Sequence, residues 1–134
     1  FFLMVEGGKI DWAGHANDAA TNFREVIDMD EAIKVAYEFY AQHPDETLIV
    51  VTADHETGGT GIAYKQHEVG KKEKVSLNFS TKGHTGTVVP VFAYGPGAEC
   101  FAGIMKNTDI PKKIESLIFN FSIVEVFQNL FMHL

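Results

Sequence analysis

The chain has 134 residues, 46% of them apolar and 12% aromatic, enough for one domain with a sizeable core and too few for two. Its 18 acidic and 11 basic residues leave a formal charge of −7. That balance argues against a nucleic-acid partner, because phosphate contacts need clustered Lys and Arg, and the longest such run is the short KKEK at 71–74.

In chain order, FFLMV at 1–5 reads as a core strand with nothing before it, which suggests that an N-terminal part lies elsewhere. A loop bearing Glu6 to His15 follows. A helix is expected to begin near Asn17, with Ala19, Ala20, Phe23 and Ile27. Asp28 and Glu31 form the capping-box pattern of a second helix, whose Ile33, Ala36, Tyr37 and Tyr40 share a face and which Pro44 ends. The next strand is Leu48 to Thr52. This strand–helix–strand order implies an α/β fold with a parallel pair and a right-handed connection, so both strands end at one edge of the sheet.

Beyond Gly58, Gly59 and Gly61, the segment IAYKQHEVGKKEKVSLNFS reads as two short strands around a polar turn at Gly70 to Lys74, a small surface hairpin. VVPVFAYG is strand-like, and Pro90, which cannot donate to a ladder, favours an outer or irregular position. A short helix is expected after the Pro96–Gly97 turn, and another from Asp109 to Leu117. The tail 117–134 is apolar nearly all round. Asn120, Glu125, Gln128 and Asn129 interrupt it well short of a bilayer-spanning length, so no membrane span is expected; it reads as a helix packed against something else. With no repeat or linker, residues 1–134 are read as a single domain. The lone Cys100 rules out an internal disulfide and leaves the redox compartment open.

Ligands of open parallel sheets collect beyond the carboxyl ends of the strands. Two strand ends here carry polar clusters: VEGGKIDWAGH presents Glu6, Asp11 and His15, and TADHETGG presents Asp54 and His55. The spacing of Asp11 and His15 is one helical turn, which brings two ligands onto one face. Carboxylate and imidazole donors of this kind suit zinc, and Glu6 is a harder oxygen donor able to serve magnesium. Taken alone, an Asp–His pair in a turn more often caps a helix or bonds to backbone. The convergence of five potential ligands on one edge is what marks these residues. His84, in GHTG, joins them if the strand after it runs antiparallel to the others. His43 at a helix C-terminus, His67 in the hairpin and His133 in the tail are read as non-ligands. Trp12 packs either over the site or over a partner surface.

These stretches, with VFAYGPGA and NTDI further on, resemble the alkaline phosphatases in motif and order from Phe1 to about Ile114. The resemblance implies a three-layer α/β/α fold with a mostly parallel sheet. It also implies that Asp11, His15 and His84 bind one zinc, Asp54 and His55 a second, and Glu6 a magnesium ion. For the complete enzyme it implies hydrolysis of phosphate monoesters through a covalent phosphoserine, a periplasmic or extracellular location and self-association, commonly as a homodimer.

In that family the serine nucleophile, a bridging aspartate, a hydroxyl ligand to magnesium and a phosphate-binding arginine lie upstream of the matched region. Ser76, Ser80, Ser116 and Ser122 lack the nucleophile's context, and Arg24, the only arginine, sits in a helix. The isolated chain is therefore expected to be inactive while retaining the first zinc site best. A relative of the phosphoglycerate mutase or sulfatase type, and a non-catalytic zinc-binding fragment, are the competing readings.

Overall fold

The computed structural model describes residues 1–64 and 75–119. The polar turn of the expected hairpin, His67, His133 and most of the apolar tail fall outside them. The chain forms two compact units, one of 1–39 and 53–90, the other of 40–52 and 91–134.

The first unit opens differently from the expected strand. Residues 1–7 carry no regular secondary structure, and Phe1, Leu3 and Met4 are exposed. An apolar run becomes a strand only with a ladder partner. Every strand pair among the described residues is antiparallel and none includes 1–5. The expected parallel pair is thus not formed among these residues.

Where a loop from Glu6 to His15 is expected, helix α1 spans Gly8–Ala16. It ends at Asn17, whose left-handed backbone (φ 55°) turns the chain. The Asn17 amide donates to Gly14 O at 3.0 Å and the Asp18 amide to Ala13 O at 2.9 Å, a Schellman closure that satisfies two of the helix's last carbonyls.

Asp18 then caps the next helix. Its carboxylate accepts from the Ala20 and Thr21 amides, both at 3.1 Å, and from the Thr21 hydroxyl at 2.6 Å. These bonds, the Thr21 hydroxyl first, hold its carboxyl below the ordinary value of 3.8. Instead of two helices there is one, α2, over Ala19–Tyr40. Nothing in AATNFREVIDMDEAIKVAYEFY forces a break, since it contains neither Gly nor Pro, and Asp28 and Glu31 remain exposed within the continuing helix.

Asn22, Glu25, Met29 and Ile33 form the half-buried stripe of α2. Asn22 donates to Ile10 O at 2.9 Å and Glu25 lies 3.9 Å from Lys9, so this stripe runs along α1. The opposite side exposes Phe23, Ile27 and Val35.

In the same unit, β2 (Glu56–Thr57) pairs with β5 (His84–Thr85), and β3 (Gly61–Tyr64) pairs with β4 (Val75–Asn78). The strands expected on either side of the polar turn are therefore present and antiparallel.

In the second unit, β1 (Ile49–Thr52) pairs antiparallel with β6 (Val91–Tyr94), with Thr52 opposite Val91. Pro90 falls just before the first paired residue, where its missing donor breaks no bond. A 3₁₀ turn at Ala98–Phe101 and a helix over 109–119, named α3, follow. Both agree with the sequence reading. Phe101, 4% exposed, is the buried centre of this unit, and Leu117 of α3 lies against Gly97. No helix among the described residues is long and apolar enough to cross a membrane.

Candidate metal centre

All six candidate ligands lie in the first unit. Helix α1 presents Asp11 and His15 one turn apart, with Asp11 Oδ1 3.4 Å from His15 Nε2. Asp54 and His55 occupy the turn before β2. His84 opens β5, and the β2–β5 register sets it opposite Thr57. The antiparallel return expected for His84 is thus made by a short strand of its own, ahead of β6.

His84 Nε2 lies 3.2 Å from His15 Nε2 and 3.6 Å from Asp11 Oδ1. The His84 ring also stacks on His55, with centroids 3.6 Å apart. One ligand atom each from Asp11, His55 and His84 falls within a span of 4.8 Å. Asp54 Oδ2 is 3.5 Å from His55 Nε2, and this carboxylate is 80% exposed. Glu6 is set apart: it is exposed, with its carboxylate beside Gly8 at the N-terminal end of α1, where the helix dipole favours negative charge. Trp12 is 71% exposed.

Two tests bear on whether these groups suit a metal ion. The first is distance. Bonds of about 2.0–2.2 Å at tetrahedral angles separate two zinc ligand atoms by about 3.3–3.6 Å. The triangle of Asp11 Oδ1, His15 Nε2 and His84 Nε2, with sides of 3.2, 3.4 and 3.6 Å, has the size of one face of that tetrahedron. The second is tautomer. His15 Nδ1 faces the Lys82 carbonyl at 2.5 Å, and since a carbonyl only accepts, Nδ1 carries the proton and Nε2 keeps its lone pair towards His84. The donor set fits zinc.

Three further residues hold the cluster, and residue type alone does not mark them. The Thr57 hydroxyl reaches Asp11 Oδ1 at 2.5 Å and His55 Nδ1 at 3.2 Å. Glu56 ties β2 to β5 by accepting from the Thr85 hydroxyl, and ties the following turn by accepting from the Thr60 and Gly59 amides at 2.8 and 3.1 Å. These bonds, the Thr85 hydroxyl first, hold the Glu56 carboxyl below its ordinary 4.5. The third is Gly14, buried against Thr57. No local pattern marks Thr57: its place follows from the β2–β5 register, which sets it opposite His84.

The chain matches the family model for alkaline phosphatase over residues 1–73 and 62–119. It is 31% identical to Alkaline phosphatase 3 of Bacillus subtilis (strain 168) over 92% of this chain and 41% of that protein. It is 32% identical to the alkaline phosphatase of Escherichia coli (strain K12) over 82% of this chain and 26% of that protein. The solved alkaline phosphatase of the Antarctic bacterium TAB5 matches with a TM-score of 0.77 and 46% identity, over 85% of this chain and 34% of that one. A variant of the TAB5 enzyme is solved with Mg bound in the M3 site.

This α/β chain with its carboxylate–imidazole cluster belongs to the alkaline phosphatase family. It spans 41% of the length of the Bacillus relative and 34% of the TAB5 enzyme.

Proposed function

We propose that these residues are the metal-binding part of a phosphoric monoester hydrolase. Asp11, His15 and His84 hold a first zinc ion, Asp54 and His55 contribute to a second, and Glu6 contributes to a magnesium site. The observation that carries this reading is the Asp11–His15–His84 triangle, whose sides of 3.2–3.6 Å suit one tetrahedral ion. Family membership and the Mg bound in the TAB5 variant support it.

Held by these residues, a pair of such ions would supply positive charge for a phosphoryl oxygen and for the attacking and leaving oxygens of an in-line displacement. The chain's own residues prepare for that. The Lys82 carbonyl fixes the His15 tautomer, β2 and β5 fix the spacing of His55 and His84, and Asp11 supplies negative charge between the imidazoles.

The phosphoserine route needs a nucleophile, and we assign it to a serine outside these residues. Ser76 and Ser80 hydroxyls donate instead to the carbonyls of Ala63 and Gly59, at 3.1 and 3.3 Å. These 134 residues by themselves then bind zinc without turning over substrate. Phosphate monoesters and inorganic phosphate are the ligands of the complete enzyme. A periplasmic or extracellular location belongs to the same reading on family grounds. Self-association, as a homodimer or otherwise, is supported by the exposed Phe23, Ile27 and Val35 on α2.

The test is a zinc titration of the chain beside His15→Ala and His84→Ala, with hydrolysis of a generic phosphomonoester and a sulfate ester measured in parallel. One ion bound by the parent and lost in both variants, with no turnover of either ester, is expected. Zinc binding indifferent to both substitutions overturns the metal assignment. Turnover that depends on one of the chain's own serines overturns the assignment of the nucleophile.

A further inference from the structure

We propose that Thr57 is a positioning residue that locks Asp11 and His55 into a single geometry and fixes which nitrogen of His55 faces the metal centre. This rests on the metal reading above and names a device within it.

The hydroxyl has one proton and two neighbours. Its oxygen is 2.5 Å from Asp11 Oδ1 and 3.2 Å from His55 Nδ1. An ionised carboxylate only accepts, so the Thr57 proton goes to Asp11. The same oxygen then has only lone pairs left for His55, and His55 must donate from Nδ1–H. In the neutral imidazole this leaves the lone pair on Nε2, the atom 3.5 Å from Asp54 Oδ2. One hydroxyl therefore orients a ligand of the first ion and a ligand of the second together.

Thr57 is itself held on three sides. Its register partner across the β2–β5 ladder is His84, its side chain rests on Gly14 of α1, and its carbonyl accepts from the Thr60 hydroxyl at 3.0 Å. Partners of this type, which set the tautomer and angle of a metal-bound imidazole or carboxylate, change metal affinity about 10–100-fold when removed.

The experiment compares the parent chain with Thr57→Val, Thr57→Ser and Thr57→Ala. Zinc affinity is measured by chelator competition, the His55 tautomer by imidazole ¹⁵N shifts in the zinc-free chain, and folding by circular dichroism. Ser and Ala both lack the methyl group that packs on Gly14 and differ only in the hydroxyl, so this pair decides the matter even if the Val variant does not fold.

The expected result is that Thr57→Ser keeps parental affinity within about 3-fold and a His55 protonated at Nδ1. Thr57→Ala and Thr57→Val are expected to bind about 10–100-fold more weakly and to lose the Nδ1 preference. Equal affinity and the same tautomer in the Ser and Ala variants overturns this inference and leaves the metal assignment standing. Absence of zinc binding in the parent overturns both.

Discussion

Gly14 and Thr57 are in contact at the one position on this face of α1 that has no side chain. A Cβ on Gly14 would lie 3.0 Å from Thr57 Cγ2 and 3.2 Å from the Thr57 carbonyl oxygen. The absence of that atom lets β2 approach closely enough for the Thr57 hydroxyl to reach Asp11. Gly14→Ala is expected to destabilise the fold by about 1–3 kcal/mol through overpacking. It is also expected to weaken zinc binding by moving Thr57 and His84 away from α1. Urea unfolding and chelator competition measure the two effects, and unchanged zinc affinity would count against this contact as a determinant of the site.

Gly58 poses a different constraint. Its φ of +91° lies where a side chain is strained, and a Cβ there would meet Phe79 at 2.7 Å. The peptide groups on either side are committed, since Gly58 N donates to Gly83 O and Gly58 O accepts from the Ser80 and Thr81 amides. Gly58→Ala is expected to cost about 2–5 kcal/mol, the sum of backbone strain and overpacking. A urea midpoint equal to that of the parent would contradict it.

The histidines divide into two groups. His15→Ala removes a member of the triangle and is expected to lower zinc affinity by more than the roughly 100-fold upper range of supporting residues. His43→Ala, at the turn after α2, is expected to leave affinity unchanged. Titrating both variants beside the parent tests the division, and equal losses would show that the imidazoles act by general charge instead of position.

Asp18 links stability to pH. Its folded-state pKa is depressed, so its contribution is fully present above the ordinary carboxylate value of 3.8 and is lost as pH falls through the lower folded value. Asp18→Ala is expected to melt at a lower temperature than the parent at neutral pH. The gap should close as pH drops below about 4. Thermal melts across that range decide it, and a gap independent of pH would rule out the capping carboxylate as its cause.

Much of this was open to inspection in the residues themselves. Pro44, the strand-like run VVPVFAYG and the Pro96–Gly97 turn are local signals, and the end of α2, β6 and the 3₁₀ turn follow them. The gathering of Asp11, His15, His55 and His84 joins chemically distinctive side chains that stand out in three separate stretches of the sequence.

Other features depend on partners distant in the chain. FFLMV has the composition of a strand, but strand formation depends on a neighbour's hydrogen bonds. Asp28 and Glu31 match a capping pattern, yet such a pattern only permits a start, and the preceding residues were already helical from the Asp18 cap. Thr57 and Glu56 are common residue types whose importance comes from the β2–β5 register, which no local pattern announces.

The bond from His15 to the Lys82 carbonyl spans 67 positions of sequence, and the approach of His15 to His84 spans 69. An ion gripped by both ends would act as a covalent staple does, by denying the unfolded chain the freedom to separate them. For a ring of that size, chain-entropy estimates give about 4 kcal/mol. Stripping the metal would then lower the resistance of the whole fold to unfolding, a loss read as a lower urea midpoint.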